Sequence, residues 1–262
     1  MQTASYDILL SADDPAPVRL ENPEGRSPLL LIGDHAGNAI PEKLGDLGVS
    51  AADRARHIGW DIGIAGLGAA LSRRLDAVWI SQAYSRLVID CNRDPAPDAD
   101  PNAIVSVSDG TPIPANHGLG DADRAARVTE IHAPYQNAIA DEIARRTAAG
   151  LPTLLVALHS FTPTMAGIVR PWHVGILHDG GNDRLALTAL ALLRSDPVLT
   201  VGDNQPYAMD RIDHSIPRHA FIAGLPYVEF EVRQDLLADT AGIDRWCGIL
   251  SRTLLAATRE IG

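Results

Sequence analysis

Three short apolar runs in this chain each finish on a side chain that can serve as an acid, a base or a ligand. Leu29-Leu30-Leu31-Ile32 passes through Gly33 into Asp34-His35. Thr153 to Leu158 runs into His159-Ser160, and Tyr227-Val228-Glu229-Phe230 runs into Glu231-Val232-Arg233. Apolar runs of this length, bounded by Pro and Gly, read as buried strands. Segments of helical period alternate with them, which predicts an α/β domain with a mostly parallel, mixed sheet flanked by helices. Parallel strands bring their carboxyl ends to one edge, where ligands of open α/β sheets bind.

The rest of the chain fills in that frame. Residues 61–75 carry Ala, Leu and Ile at helical spacing, and Val78–Ile80 and Leu87–Ile89 read as further strands. The stretch from Asp94 to Asp121 is rich in Pro, Asp, Asn and Gly and has no periodicity. It keeps Ile104, Val105, Val107 and Ile113, so it reads as an ordered loop over a site. Residues 121–148 predict one long helix, which Pro134 should kink or divide. Strands at 173–177, 199–201 and 226–232 and helices at 183–194 and 241–258 complete the pattern. With no repeat and no linker, residues 1–262 are expected to form a single domain.

Composition narrows the partners. The 262 residues are 46% hydrophobic but only 5% aromatic, so the core must be built from Ala, Leu, Ile and Val. A net charge of −11 argues against nucleic acid or an anionic membrane as the main partner. A small anionic substrate remains open, because a local arginine cluster can override the global charge. Cys91 and Cys247 form no CxxC and no disulfide framework, and Cys91 reads as a buried thiol. The first residues resemble no leader, and no segment has the length of a membrane span. The expectation is a cytoplasmic globular protein.

Two histidines and a glutamate delivered to one sheet edge suggest a catalytic zinc site, since zinc needs several N or O ligands that converge. His35 follows a tight Gly33-Asp34-His35-Ala36-Gly37 turn, and His159 ends a strand. His57 and Asp61 are spaced i, i+4. Asp61 is either the carboxylate that completes the ligand set or the N-cap of the next helix, with His57 then exposed ahead of it. Arg86 and Arg93 flank one apolar segment, where they suit capture of a carboxylate or a salt bridge to the nearby Asp residues. Glu231 alternates with Glu229 on one side of its strand, where partial burial would raise a carboxyl pKa toward the range of a general base. Arg170, His173, His214 and His219 read as loop residues, Arg170 within reach of the pocket.

Together these blocks resemble the N-formylglutamate amidohydrolase family. The matching segments are Gly33 to Asn38 with Ile40-Pro41, Gly59-Trp60-Asp61, Tyr84 to Arg93, Ala133-Pro134-Tyr135, Leu158-His159-Ser160 and Glu229 to Arg233. The family is distantly similar to zinc carboxypeptidases and aspartoacylases, and the resemblance implies a carboxypeptidase-like fold. It implies zinc on His35 and His159, Glu231 as base, and Asn92-Arg93 on the carboxylate of a small N-acyl amino acid such as N-formylglutamate; from the residues themselves, Asp61 is the candidate third zinc ligand and Arg86 and Arg170 are candidate further substrate contacts. Carboxypeptidases place a Glu three residues after the first His, and this chain has Asn38 there. Asp61 is the replacement expected for it. A deacylase or peptidase of other specificity, and a non-catalytic module that binds a small acid, are the competing readings.

Overall fold

A computed structural model describes residues 8–96 and 100–262. Residues 1–7, on which the expectation of no leader rests, and residues 97–99 of the long loop lie outside them. Seven strands form one sheet: β1 (Val18–Glu21), β2 (Leu29–Gly33), β3 (Val78–Gln82), β4 (Leu154–Phe161), β5 (Val174–Leu177), β6 (Val201–Asp203) and β7 (Tyr227–Arg233). Their order is β1-β3-β2-β4-β7-β5-β6. The four central strands β3, β2, β4 and β7 are parallel, whereas β1 pairs antiparallel with β3 and β5 antiparallel with β7. The sheet is therefore mixed with a parallel heart, as the alternation of elements predicts.

Helices cover both faces. Helices α1 (Ile64–Leu75), α3 (Arg184–Arg194) and α4 (Thr240–Ile261) pack with Leu31, Trp79, Val156, Phe230 and Val232 on one face. On the other face, helix α2 (Ala133–Ala148) sets Tyr135 and Ile139 against Leu30, Ile32, Val78 and Leu155. Trp79 is fully buried, and its indole fills a slot above Gly33 and Gly68, where a Cβ on either glycine would collide with the ring. That slot lets α1 lie close to β2, immediately before Asp34-His35.

The pleat decides where the chemistry goes. Side chains alternate between faces along a strand. Val228, Phe230 and Val232 take one face of β7, so Glu229 and Glu231 take the other. In the parallel register Glu231 sits opposite His159 and Glu229 opposite Ala157. Both glutamates and His159 thus share the α2 face near the carboxyl edge of the parallel strands.

Three expectations change. Leu87–Ile89 is fully buried but is not a strand. Its carbonyls are met by side chains from far along the chain: Asn116 Nδ2 donates to Leu87 O at 2.8 Å and Arg127 Nη1 to Val88 O at 2.8 Å. The helix predicted from residue 61 starts at Ile64, behind an N-cap at Gly63 with φ +87°. Residues 121–148 follow one helical path, but in three pieces: Asp121–Arg127, a π-helical turn Val128–His132, and α2. Pro134 stands at the start of α2, where a missing N–H costs least, and the wide turn ahead of it takes the break.

The long loop is ordered where it is described. It forms a 3₁₀ turn at Pro101–Ile104 and a small hairpin of Val107–Ser108 with Thr111–Pro112. Ile104 and Ile113 anchor it in a third apolar cluster with Leu87, Val88 and Ile89.

Candidate active site

Short-range stitching assembles the site. The Asp61 amide donates to His35 O at 2.9 Å, Ser85 N to Ala39 O at 2.8 Å, and Arg86 N to Gly59 O at 3.1 Å. A Cβ on Gly37 would run into the Ala83 carbonyl. Segments 35–39, 59–61 and 84–86 are thereby bound into one floor. Asp61 is not the helix cap, and its side chain is free to turn inward.

His35, Asp61 and His159 are all buried, and one ligand atom from each lies within 4.8 Å of the others. His35 Nδ1 stands 3.5 Å, and His159 Nδ1 2.9 Å, from the same oxygen, Asp61 Oδ2. The far nitrogen of each ring faces a second carboxylate. His35 Nε2 is 2.6 Å from Asp90 Oδ1, and His159 Nε2 is 3.2 Å from Asp34 Oδ2. Ser215 Oγ in turn donates to Asp34 Oδ1. Metal-bound histidines characteristically hand their other nitrogen to a carboxylate, which fixes tautomer and ring orientation; His35–Asp90 is a hydrogen bond of this kind, whereas His159 Nε2 and Asp34 Oδ2 face each other without one.

The electrostatics suit a cation. Burial works against charge on both imidazoles, yet the surrounding carboxylates win and hold the pKa of His35 raised and that of His159 well above the usual range. Burial alone would raise the Asp61 pKa, but the two histidines hold it well below the carboxylate range. Among the described residues, His35 Nδ1 is buried without a hydrogen-bond partner. Two nitrogens and one carboxylate oxygen that converge in a setting favouring positive charge meet the donor requirement of a transition-metal site with room for water.

A cavity of about 370 Å³ opens over this group. Glu231 faces it and is 7% exposed; desolvation pushes its pKa up to about 7, against the pull of His159. Its Oε2 is buried without a hydrogen-bond partner. Glu229 also lines the cavity, with its pKa raised well above the usual range by burial. A carboxyl poised near neutrality beside a candidate metal centre can accept and return a proton.

The remaining predicted residues fall in different places. Arg86 lines the cavity but is tied to Asp90 Oδ2 at 2.5 Å and stands 3.6 Å from Asp61 Oδ1. Arg93 lies 3.5 Å from Asp100 Oδ2 and 3.6 Å from Asp213 Oδ1. The Asn92 amide clamps a loop: its Oδ1 accepts from the amides of His214 and Ser215, and its Nδ2 donates to Asp213 Oδ1 at 3.2 Å. Arg170 is not part of the cavity wall. It stacks on Tyr207, which is, and donates to the Tyr207 hydroxyl at 2.9 Å. Asn38 faces away and donates to Arg54 O at 2.9 Å. His57 is not solvent-exposed but joins the cavity wall 3.4 Å from Asp109.

Sequence reasoning missed the supporting roles of Asp34 and Asp90. Each lies inside a motif that was read, one beside His35 and one at the end of the Leu87–Ile89 run. Only the folded geometry pairs them with imidazole nitrogens.

Fold and site together define a hydrolytic enzyme of the mixed α/β kind with a candidate histidine–aspartate metal centre at its strand edge. The family model for N-formylglutamate amidohydrolase matches residues 27–238. The chain belongs to the N-formylglutamate amidohydrolase family and is an amide hydrolase. A crystallised gene product of Agrobacterium tumefaciens is 35% identical, with 97% of this chain and 99% of that one covered and a TM-score of 0.92. N-Formylglutamate amidohydrolase from Ralstonia eutropha JMP134 is 22% identical over 94% of this chain and 98% of its own, with a TM-score of 0.72, a likeness of fold. No curated protein matches this sequence. Among the described residues no helix is long and apolar enough to cross a membrane.

Proposed function

We propose that the protein is a zinc-dependent hydrolase of N-acyl amino acids that removes an N-formyl group, the class of substrate to which N-formylglutamate belongs. The observation that carries this reading is the convergence of His35 Nδ1, His159 Nδ1 and Asp61 Oδ2, each imidazole backed by its own carboxylate. These three residues would hold the zinc. When bound there, the ion would lower the pKa of a water and polarise the acyl carbonyl.

The chain's own groups supply the rest. Glu231, near neutrality and aimed into the cavity, takes the proton from the attacking water and returns it to the leaving amine. Arg86 and Arg93 hold the substrate's α-carboxylate through their remaining N–H donors. Asn92 keeps the loop at 213–215 in place behind Arg93, and Arg170 sets the position of Tyr207 at the cavity rim. Asp34 and Asp90 hold the two imidazoles in the orientation the ion needs.

The test is a hydrolysis screen of N-formyl, N-acetyl and N-succinyl amino acids with metal-stripped and zinc-repleted protein. Zinc-dependent release of formate with the N-formyl set leading supports the reading. Equal activity in stripped protein removes the metal from the account, and a lead by the acetyl or succinyl set removes the formyl preference.

A further inference from the structure

The family's name points to a dicarboxylate, which would need a second cation for its side chain. Among the described residues, each arginine of the cavity wall already has carboxylate partners. Arg86 is in contact with both Asp90 and Asp61. Arg93 lies between Asp100 and Asp213. Asp109 is also in the wall, beside His57, and Arg56, which would balance it at 2.8 Å, is shared with Asp53 at 3.0 Å. Asp210 adds a further carboxylate to the wall.

Arg170 is the remaining arginine near the mouth, and among the described residues it has no carboxylate partner. Its guanidinium is committed elsewhere: it lies 4.8 Å from the Tyr207 ring centroid, and its nitrogens reach the Tyr207 hydroxyl and Met165 Sδ at 2.9 Å each. Tyr207 and Met165, not Arg170, face the cavity. An ion-paired arginine can still donate hydrogen bonds to one carboxylate, but it brings no net positive charge for a second.

Resting on the hydrolase reading above, we propose that the substrate is an N-formyl amino acid with a single carboxylate, whose side chain is neutral or cationic, and that N-formylglutamate is a poor substrate for this chain. The wall carboxylates Asp109, Asp210 and Asp213 repel a side-chain carboxylate and accept hydrogen bonds from an amide or an ammonium group. Tyr207 and Met165 supply apolar contact for its methylenes.

The test compares N-formylglutamine with N-formylglutamate, which match in size and differ in one charge, with N-formyllysine as a third compound, on zinc-loaded protein. The expected kcat/KM for the glutamine compound exceeds that for the glutamate compound by at least ~10-fold, because like charges face each other in the second case. N-formyllysine should also exceed N-formylglutamate. Asp109→Asn should narrow the glutamine-to-glutamate ratio several-fold by leaving Arg56 less compensated, while Asp46→Asn, remote on the surface, should not. Equal or better turnover of N-formylglutamate overturns the proposal, as does an unchanged ratio in Asp109→Asn. If none of the three is cleaved, the N-formyl reading fails, and calorimetric binding of the same compounds to the zinc-loaded protein decides the charge question. Tighter binding of the glutamine compound then supports the proposal; tighter or equal binding of the glutamate compound, or binding of neither, overturns it.

Discussion

Glu231 and Glu229 differ by one pleat repeat, and in the proposed mechanism that difference separates the base from a bystander. Glu231 stands across from His159 in register and its pKa is pushed up to about 7, within reach of a working pH, whereas Glu229 lies deeper, 2% exposed against 7%. A general base functions best near the operating pH. Glu231→Gln keeps the shape and loses the proton acceptor, so kcat should fall by at least ~10²-fold with KM and bound metal little changed. The same change at Glu229 should be much milder. Steady-state kinetics with metal analysis on both variants check this, and an active Glu231→Gln beside a dead Glu229→Gln would move the base down the strand.

At the scale of elements, two single π-helical turns stand behind the site, and each contributes a buried neutral histidine. His132 sits in the Val128–His132 turn with Nε2 donating to Arg93 O at 3.0 Å. His219 sits in the Pro217–Phe221 turn with Nε2 donating to Gln136 Oε1 at 2.7 Å. Desolvation lowers the pKa of each to about 4. A histidine whose folded pKa lies below its unfolded value near 6.5 takes up its proton more readily when unfolded. Its contribution is therefore complete above about pH 6.5 and lost as pH falls toward about 4, on the order of 3 kcal/mol each. In urea unfolding at pH 7.5 and 4.5, His219→Gln should lose less stability on acidification than the wild type. Equal losses would show that His219 charges freely in the folded state.

The same elements show how much of the fold a reader of the sequence could see. β2, β4 and β7 were legible because a fully buried strand leaves a continuous apolar run with Pro or Gly at its ends, and their last residues carried the site with them. β1 was not, since Val18–Glu21 is an edge strand with its side chains largely exposed and shows no apolar pattern. Leu87–Ile89 looked like a strand because burial, not pairing, sets an apolar run; its partners Asn116 and Arg127 lie too far along the chain to be anticipated. For the candidate site, the sequence pointed to His35, Asp61, His159 and Glu231, which the fold brings to one cavity. The pairing of Asp90 with His35 and of Asp34 with His159 was not readable, because it depends on which ring nitrogen faces which carboxylate.

Across the whole molecule, a net charge of −11 surrounds a cavity whose arginines are already paired. The long-range field opposes an approaching anion, and salt screens it, with a Debye length of about 10 Å at 0.1 M. Raising monovalent salt from ~20 mM to ~200 mM should lower KM for a monoanionic formyl amino acid by roughly twofold with kcat unchanged. A KM that rises with salt would mean that the local arginines, not the global field, govern encounter.

The central claim is that His35, Asp61 and His159 hold a metal ion, and the most direct measurement is the zinc content of repleted, dialysed protein by mass spectrometry, for the wild type and for His35→Ala and His159→Ala. The account predicts stoichiometric zinc in the wild type and its loss in both variants, with folding retained by circular dichroism. Zinc-free wild-type protein after repletion, or stoichiometric zinc in either folded variant, would contradict it.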